Sequence, residues 1–111
     1  MNILFVCSRN RWRSPTAEAI YKTSQEHIVK SAGTEPSARI KLTAKLIAWS
    51  DVIFAMEKRH KQRMMENFPC ETESKEIVVL NIPDEYQFMD EDLIECIKSS
   101  VSPYLDNFTE S

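Results

Sequence analysis

A cysteine and an arginine six positions apart, Cys7 and Arg13, are the residues of this chain best suited to covalent chemistry. Ser8, Arg9, Asn10, Arg11 and Trp12 lie between them, and Ser14-Pro15 follow directly. A loop of that length can turn its backbone N–H groups inward. Such a nest, facing the positive end of a helix, suits a tetrahedral oxyanion. The same field favours thiolate over thiol, so Cys7 is expected to act as a nucleophile. Arg13 brings a planar fork that matches two oxygens of a phosphoryl group. The chemistry implied is attack of Cys7 on phosphorus, with residues 8–13 as the phosphate-binding loop. The plainer alternative is a small buried cysteine at a strand end. A helix start and three nearby arginines favour the nucleophile.

The flanking residues must hold this loop in place. Ile3, Leu4, Phe5 and Val6 form an apolar run that reads as a buried strand over residues 2–6. A helix is expected from Ser14 to about Glu26, with Ser14 as N-cap and Pro15 as its first residue. Further strands are expected at Ile28–Ala32, Asp51–Met56 and Glu76–Leu80. Helices are expected at Leu42–Trp49, at Lys58–Asn67, and from Asp90 onward with an interruption at Pro103. The cluster Lys58, Arg59, His60, Lys61 and Arg63 reads as a solvated basic face. Strands alternating with helices predict an α/β fold with a parallel sheet and right-handed crossovers. Ligands bind such folds beyond the carboxyl ends of the strands, where the Cys7 loop falls. The expected architecture is three-layered. A four-stranded parallel sheet of order 2-1-3-4 carries helices on both faces and the phosphate loop after strand 1.

Cys7-x5-Arg13-Ser14 after a first strand resembles the signature of the low-molecular-weight protein tyrosine phosphatases. Ser31-Ala32-Gly33-Thr34, Ser50–Met56 and Ile82-Pro83-Asp84-Glu85-Tyr86 resemble later stretches of that family, in its order. The resemblance implies a phosphomonoesterase with a phosphocysteine intermediate and no metal or other cofactor. It gives Ser14 a second role, a hydrogen bond to the thiolate, and makes Ser31 the partner of Asn10, which tolerates positive φ in a glycine-free loop. It also makes Asp84 the general acid, although Glu85 stands where the family usually has proline, so a second carboxylate competes. Trp12 and Tyr86 are the expected rim, with Phe88 beside them.

Three departures matter. Trp12 replaces a cysteine found in many relatives, Arg9 and Arg11 make the mouth unusually basic, and Gly33–Ser50 is about half the usual length. A wall of the cleft is therefore expected to be missing, leaving a wider pocket that favours acidic surroundings of the phosphate. Two rival functions remain: a catalytically weak phosphate- or phosphoprotein-binding module, and arsenate reduction. The latter would need relay cysteines near Met56-Glu57-Lys58, where there are none.

Composition sets the outer limits. The 111 residues read as one domain, 42% hydrophobic and 28% charged, with net charge −3. That charge argues against nucleic acid as a general partner. Residues 1–14 hold three arginines and no acid, whereas residues 81–111 hold eight acids and only Lys98. Three cysteines, without a leader or membrane span, point to the cytoplasm. The expected ligands are a phosphorylated protein or small phosphate ester, with inorganic phosphate or sulfate able to occupy the loop.

Overall fold

Ile3, Leu4, Phe5 and Val6 are all fully buried, as a strand covered on both faces must be. They lie in β1, Asn2–Cys7, which pairs in parallel with β2, Ile28–Gly33, on one side and β3, Val52–Ala55, on the other. β4, Glu76–Val79, pairs with β3, so the sheet order is β2-β1-β3-β4. The computed structural model describes residues 1–109. Its helices are α1 (Arg13–Tyr21), α2 (Ala44–Trp49), α3 (Lys58–Asn67), α4 (Pro69–Thr72) and α5 (Glu91–Thr109).

Alternation along the strands sorts the core into two layers. Ile3, Phe5, Cys7, Val52 and Phe54 face α1 and α5, meeting Ala17, Leu93, Ile97, Val101 and Leu105. Leu4, Val6, Ile53 and Ala55 face the opposite side, meeting Leu42, Ile47 and Met64 around α2 and α3. Phe5 sits at the centre of the first layer, stacked on Phe54 at 5.4 Å and on Tyr21 at 5.9 Å between ring centroids. Cys7 ends the middle of the sheet, so the residue after it must leave over the carboxyl edge.

The expected elements are present in their expected order, with differences at the ends. α1 stops at Tyr21 rather than Glu26, because Lys22-Thr23-Ser24-Gln25-Glu26 offers no apolar face and Ser24 N–H closes a turn on Tyr21 C=O. Ser14 is not the N-cap: Trp12 holds that position with helical φ/ψ, and the Ser14 hydroxyl is used elsewhere. α2 starts later than Leu42 because Thr43 caps it, its side chain accepting from Leu46 N–H. α4, with Pro69 in its first turn, was not expected at all. Pro103 does not interrupt α5. Leu93, Ile97, Val101 and Leu105 recur every four residues on one buried face, and that packing holds the helix across the lost N–H. Among the described residues no helix is long and apolar enough to cross a membrane.

Candidate active site

The loop from Ser8 to Trp12 turns beneath the N-terminus of α1 and keeps its reactive atoms inside. Cys7, Asn10, Arg13 and Ser14 are each 3% exposed or less. Asn10 adopts φ 56°, the left-handed region that asparagine tolerates better than most residues. That conformation brings its N–H to 3.3 Å from Cys7 Sγ. Ser14 Oγ lies 3.0 Å from the same sulphur. Asn10 Nδ2 donates to both Ser14 Oγ at 2.8 Å and Ser31 Oγ at 2.9 Å, which ties the loop to β2.

A second strap comes from the segment after β2. Thr34 and Glu35 N–H donate to the Cys7 and Ser8 carbonyls, and Arg39 N–H donates to the Arg9 carbonyl. Gly33, the only glycine of the chain, permits this approach. A Cβ there would lie 2.6 Å from both Ser8 O and Ala38 Cβ, closer than packed atoms can sit. The shortened stretch therefore forms a wall of its own, with Glu35 paired to Arg9 at 3.7 Å.

Arg13 is held by the segments that follow β3 and β4. Its Nη1 donates to the Glu57 carboxylate at 2.5 Å and to Ile82 C=O at 2.9 Å, and its Nε lies 3.8 Å from Asp84 Oδ1. Glu57 also accepts from Arg59 Nη2 at 3.1 Å. Burial alone would raise the Glu57 carboxyl, but the hydrogen bonds and charges of Arg13 and Arg59 hold it below the usual carboxylate range. Glu57 and His60 form a capping box at the start of α3. Glu57 N–H donates to His60 Nδ1 at 3.0 Å, so Nε2 bears the neutral ring's proton and donates to Ser8 Oγ at 2.8 Å. Burial, then the nearby Arg13 and Arg59 charges, push His60 down to about 4.

These residues frame a cleft of about 240 Å³ lined by the loop together with Glu35, Arg59 and Asp84. The structure thus brings together Cys7, Ser8, Arg9, Arg11, Trp12, Arg13 and Asp84 around one opening, with Asn10, Ser14 and Ser31 behind it. Arg11 rests on the Trp12 ring, 4.8 Å from its centroid. Tyr86 is placed elsewhere. Its ring packs against the α1/α5 core layer and its hydroxyl meets Cys96 Sγ at 3.7 Å, a contact that raises the phenol above its ordinary value. Phe88 lies in a neighbouring groove with Pro15 and Lys22, and Glu85 is exposed outside the cleft.

Sequence reasoning missed Glu57, Arg59 and His60, and read the last two as part of a solvated face. His60 is instead buried, because its ring is consumed by the capping box and Ser8. Their position was a usable signal: they follow the carboxyl end of β3, which neighbours β1 in the expected strand order. The Ile82 carbonyl had no signal, since any residue supplies one.

Residues 2–45 match a family model described as low molecular weight phosphotyrosine protein phosphatase. No curated protein matches the sequence. Among solved structures, the low molecular weight protein tyrosine phosphatase SP-PTP from Streptococcus pyogenes superposes with TM-score 0.80 at 18% identity, over 96% of this chain and 91% of that one. The tyrosine phosphatase Wzb from Escherichia coli K30, in complex with sulphate, gives 0.75 at 19% identity over 96% and 97%. The YwlE arginine phosphatase from Geobacillus stearothermophilus gives 0.72 at 21% identity over 98% and 96%. At such identities the likeness to these structures is one of fold.

Proposed function

We propose that this chain, protein tyrosine phosphatase-like in its loop and in its fold, is a metal-independent phosphomonoester hydrolase acting through a phosphocysteine on Cys7. The observation that carries the reading is the juxtaposition of Cys7, Arg13 and Asp84 in one cleft, with the sulphur hydrogen-bonded at its foot. In the first step the Cys7 thiolate attacks phosphorus. An S–P bond forms, the P–O bond to the leaving group breaks, and Asp84 passes its proton to the departing oxygen. In the second step water attacks phosphorus and gives a proton to the Asp84 carboxylate. The S–P bond then breaks, returning the thiolate and releasing inorganic phosphate.

Arg13 serves both steps. Glu57 and Ile82 C=O occupy its Nη1, which leaves the Nε–Nη2 edge for two phosphoryl oxygens. Asp84 stands 3.8 Å from Nε on that same edge, so an arriving phosphate comes between the two groups. Its place in the cleft, which Glu85 does not line, supports Asp84 as the acid. Ser14 Oγ, at 3.0 Å, supports the thiolate as it leaves in the second step.

Neither rival function finds similar support. Cys70 is exposed and Cys96 lies against Tyr86, neither of them lining the cleft, so no cysteine relay for arsenate stands beside Cys7. A binding module would need the loop but not Asp84 facing it.

The test is turnover of p-nitrophenyl phosphate by the wild type and by Cys7→Ser, without added metal and with a chelator present. Turnover by the wild type alone is the expected result. Phosphate binding without turnover in the wild type would make the chain a binding module. Phosphotyrosine, phosphoserine and phosphoarginine substrates then define the class, since tyrosine and arginine phosphatases share this fold. Turnover confined to phosphoarginine would replace the ester reading with P–N cleavage.

A further inference from the structure

We propose that Glu18 is a positioning residue for the nucleophile: its carboxylate fixes the direction of a hydrogen-bond chain through Ser31, Asn10 and Ser14, so that the last proton points at the Cys7 sulphur. The proposal rests on Cys7 as the nucleophile, and its test reads thiol reactivity rather than turnover, so the two readings can fail separately.

The argument is one of donors and acceptors. An ionised carboxylate only accepts, so Ser31 Oγ, hydrogen-bonded to Glu18 Oε1, must spend its single proton there. Ser31 can then only accept from Asn10, which is the bond observed, with Nδ2 at 2.9 Å. That choice orients the amide. Its other N–H lies on Ser14 Oγ at 2.8 Å, so Ser14 is also an acceptor from Asn10. The Ser14 proton is thereby left for Cys7 Sγ at 3.0 Å, the alternative acceptor Ala32 C=O being a long 3.5 Å away. A hydrogen bond donated to a thiolate stabilises the charged form.

The amide would not choose this orientation by itself. Asn10 Oδ1 is buried and has no hydrogen-bond partner among the described residues. Turned over, the same oxygen would sit between two hydroxyls able to donate to it, and the Ser14 proton would leave the sulphur. Either orientation strands one end of the amide, so the decision falls to whatever claims the Ser31 proton. Glu18 makes that claim from α1, half-buried and one turn past Ser14.

Two substitutions separate direction from mere support. In Glu18→Gln the new amide can donate to Ser31 or accept from it, so direction is no longer imposed. In Ser31→Ala the link is cut, and Asn10 is free to turn. The readout is the iodoacetamide alkylation rate of Cys7 against pH, followed on its own peptide, with exposed Cys70 as internal control. Each variant is expected to slow Cys7 alkylation about tenfold on the acid side, the scale of one charge-assisted hydrogen bond, and to converge with the wild type in alkali. The effect of Glu18→Gln is expected to vanish in a Ser14→Ala background, because the chain reaches sulphur only through Ser14. A purely structural role would lower the melting temperature and leave the alkylation profile where it was. An unmoved profile in both variants, or a Glu18→Gln effect that survives the loss of Ser14, overturns the proposal.

Discussion

The foot and the mouth of the cleft are built in opposite ways. At the foot, Arg13 is 2% exposed and shares its Nη1 between a carboxylate and a carbonyl, while Asn10 and Ser14 are fully buried. At the mouth, the Arg9, Arg59 and Asp84 side chains are 61%, 56% and 52% exposed, and two of their three ion pairs are longer than 3.5 Å. A buried group already held in place by its neighbours costs little reorganisation when charge develops beside it, whereas an exposed pair is screened and mobile. The foot is therefore suited to chemistry and the mouth to steering. The largest expected effect tests the foot. Arg13→Lys keeps the charge but loses the planar fork and the shared Nη1. It is expected to lower kcat/KM on p-nitrophenyl phosphate by about 100-fold or more, on the scale of a lost oxyanion contact. Near-normal turnover would mean that the phosphate sits elsewhere and that the comparison is drawn at the wrong place.

Asp84 belongs to both regions, exposed itself but within reach of the buried arginine. Asp84→Asn is expected to slow hydrolysis of esters with poor leaving groups by roughly 100-fold and to spare activated aryl esters. A series of leaving groups of graded basicity checks this. The slope of rate against leaving-group basicity should steepen in the variant. The same pattern in Glu85→Gln and not in Asp84→Asn would move the acid by one residue.

Behind the foot, His60 makes the comparison visible in stability. Buried between Glu57 N–H and Ser8 Oγ, it titrates in the folded chain at about 4, against an ordinary value near 6.5. Between those two values the unfolded chain binds a proton that the folded chain refuses. Stability is therefore fully present above about 6.5, falls as the pH drops through this window, and levels off below about 4. The total from this group is up to about 3 kcal/mol. Denaturant melts at neutral pH and at pH ~4.5 should show the loss in the wild type. His60→Gln should flatten most of it, leaving the smaller contribution of Glu57, which runs in the same direction.

Legibility followed the nature of the signal. Cys7, Arg13 and Ser14 could be read because one continuous stretch fixes their spacing, and the parallel sheet followed from apolar runs alternating with helical patterns. What could not be read depends on atoms brought together from distant segments. Glu57 and His60 meet the loop only because β3 lies beside β1, and their own neighbourhood of lysines and arginines looks like any solvated helix face. Ser14 had two expected roles within the motif itself, a helix cap by its type and position and a hydrogen bond to the thiolate by the resemblance. The folded loop turns its hydroxyl to sulphur and leaves the cap position to Trp12. Tyr86 is the reverse case, a rim position by spacing whose ring lies against the core.

The smallest effect concerns the mouth, and it decides whether the mouth recognises or only attracts. Arg9, Arg11 and Arg59 line the opening, tied respectively to Glu35, to the Trp12 ring and to Glu57. None is anchored as Arg13 is, so each should act through its field rather than through a fixed hydrogen bond. Replacing Arg9 and Arg59 together by glutamine is expected to lower kcat/KM about threefold to tenfold for a phosphopeptide with acidic flanks, the scale of two exposed ion pairs. The loss for the same peptide with neutral flanks should be smaller, because the flanks carry the charge that the arginines attract. Salt supplies the decisive arm. At ~0.1 M the screening length is about 10 Å, and at 1 M about 3 Å. A field effect over several ångströms should therefore largely disappear at the higher concentration. A difference that persists in high salt would mean that one of these arginines closes directly onto the substrate. The mouth would then be part of the binding site proper, and its distinction from the foot would be one of exposure alone.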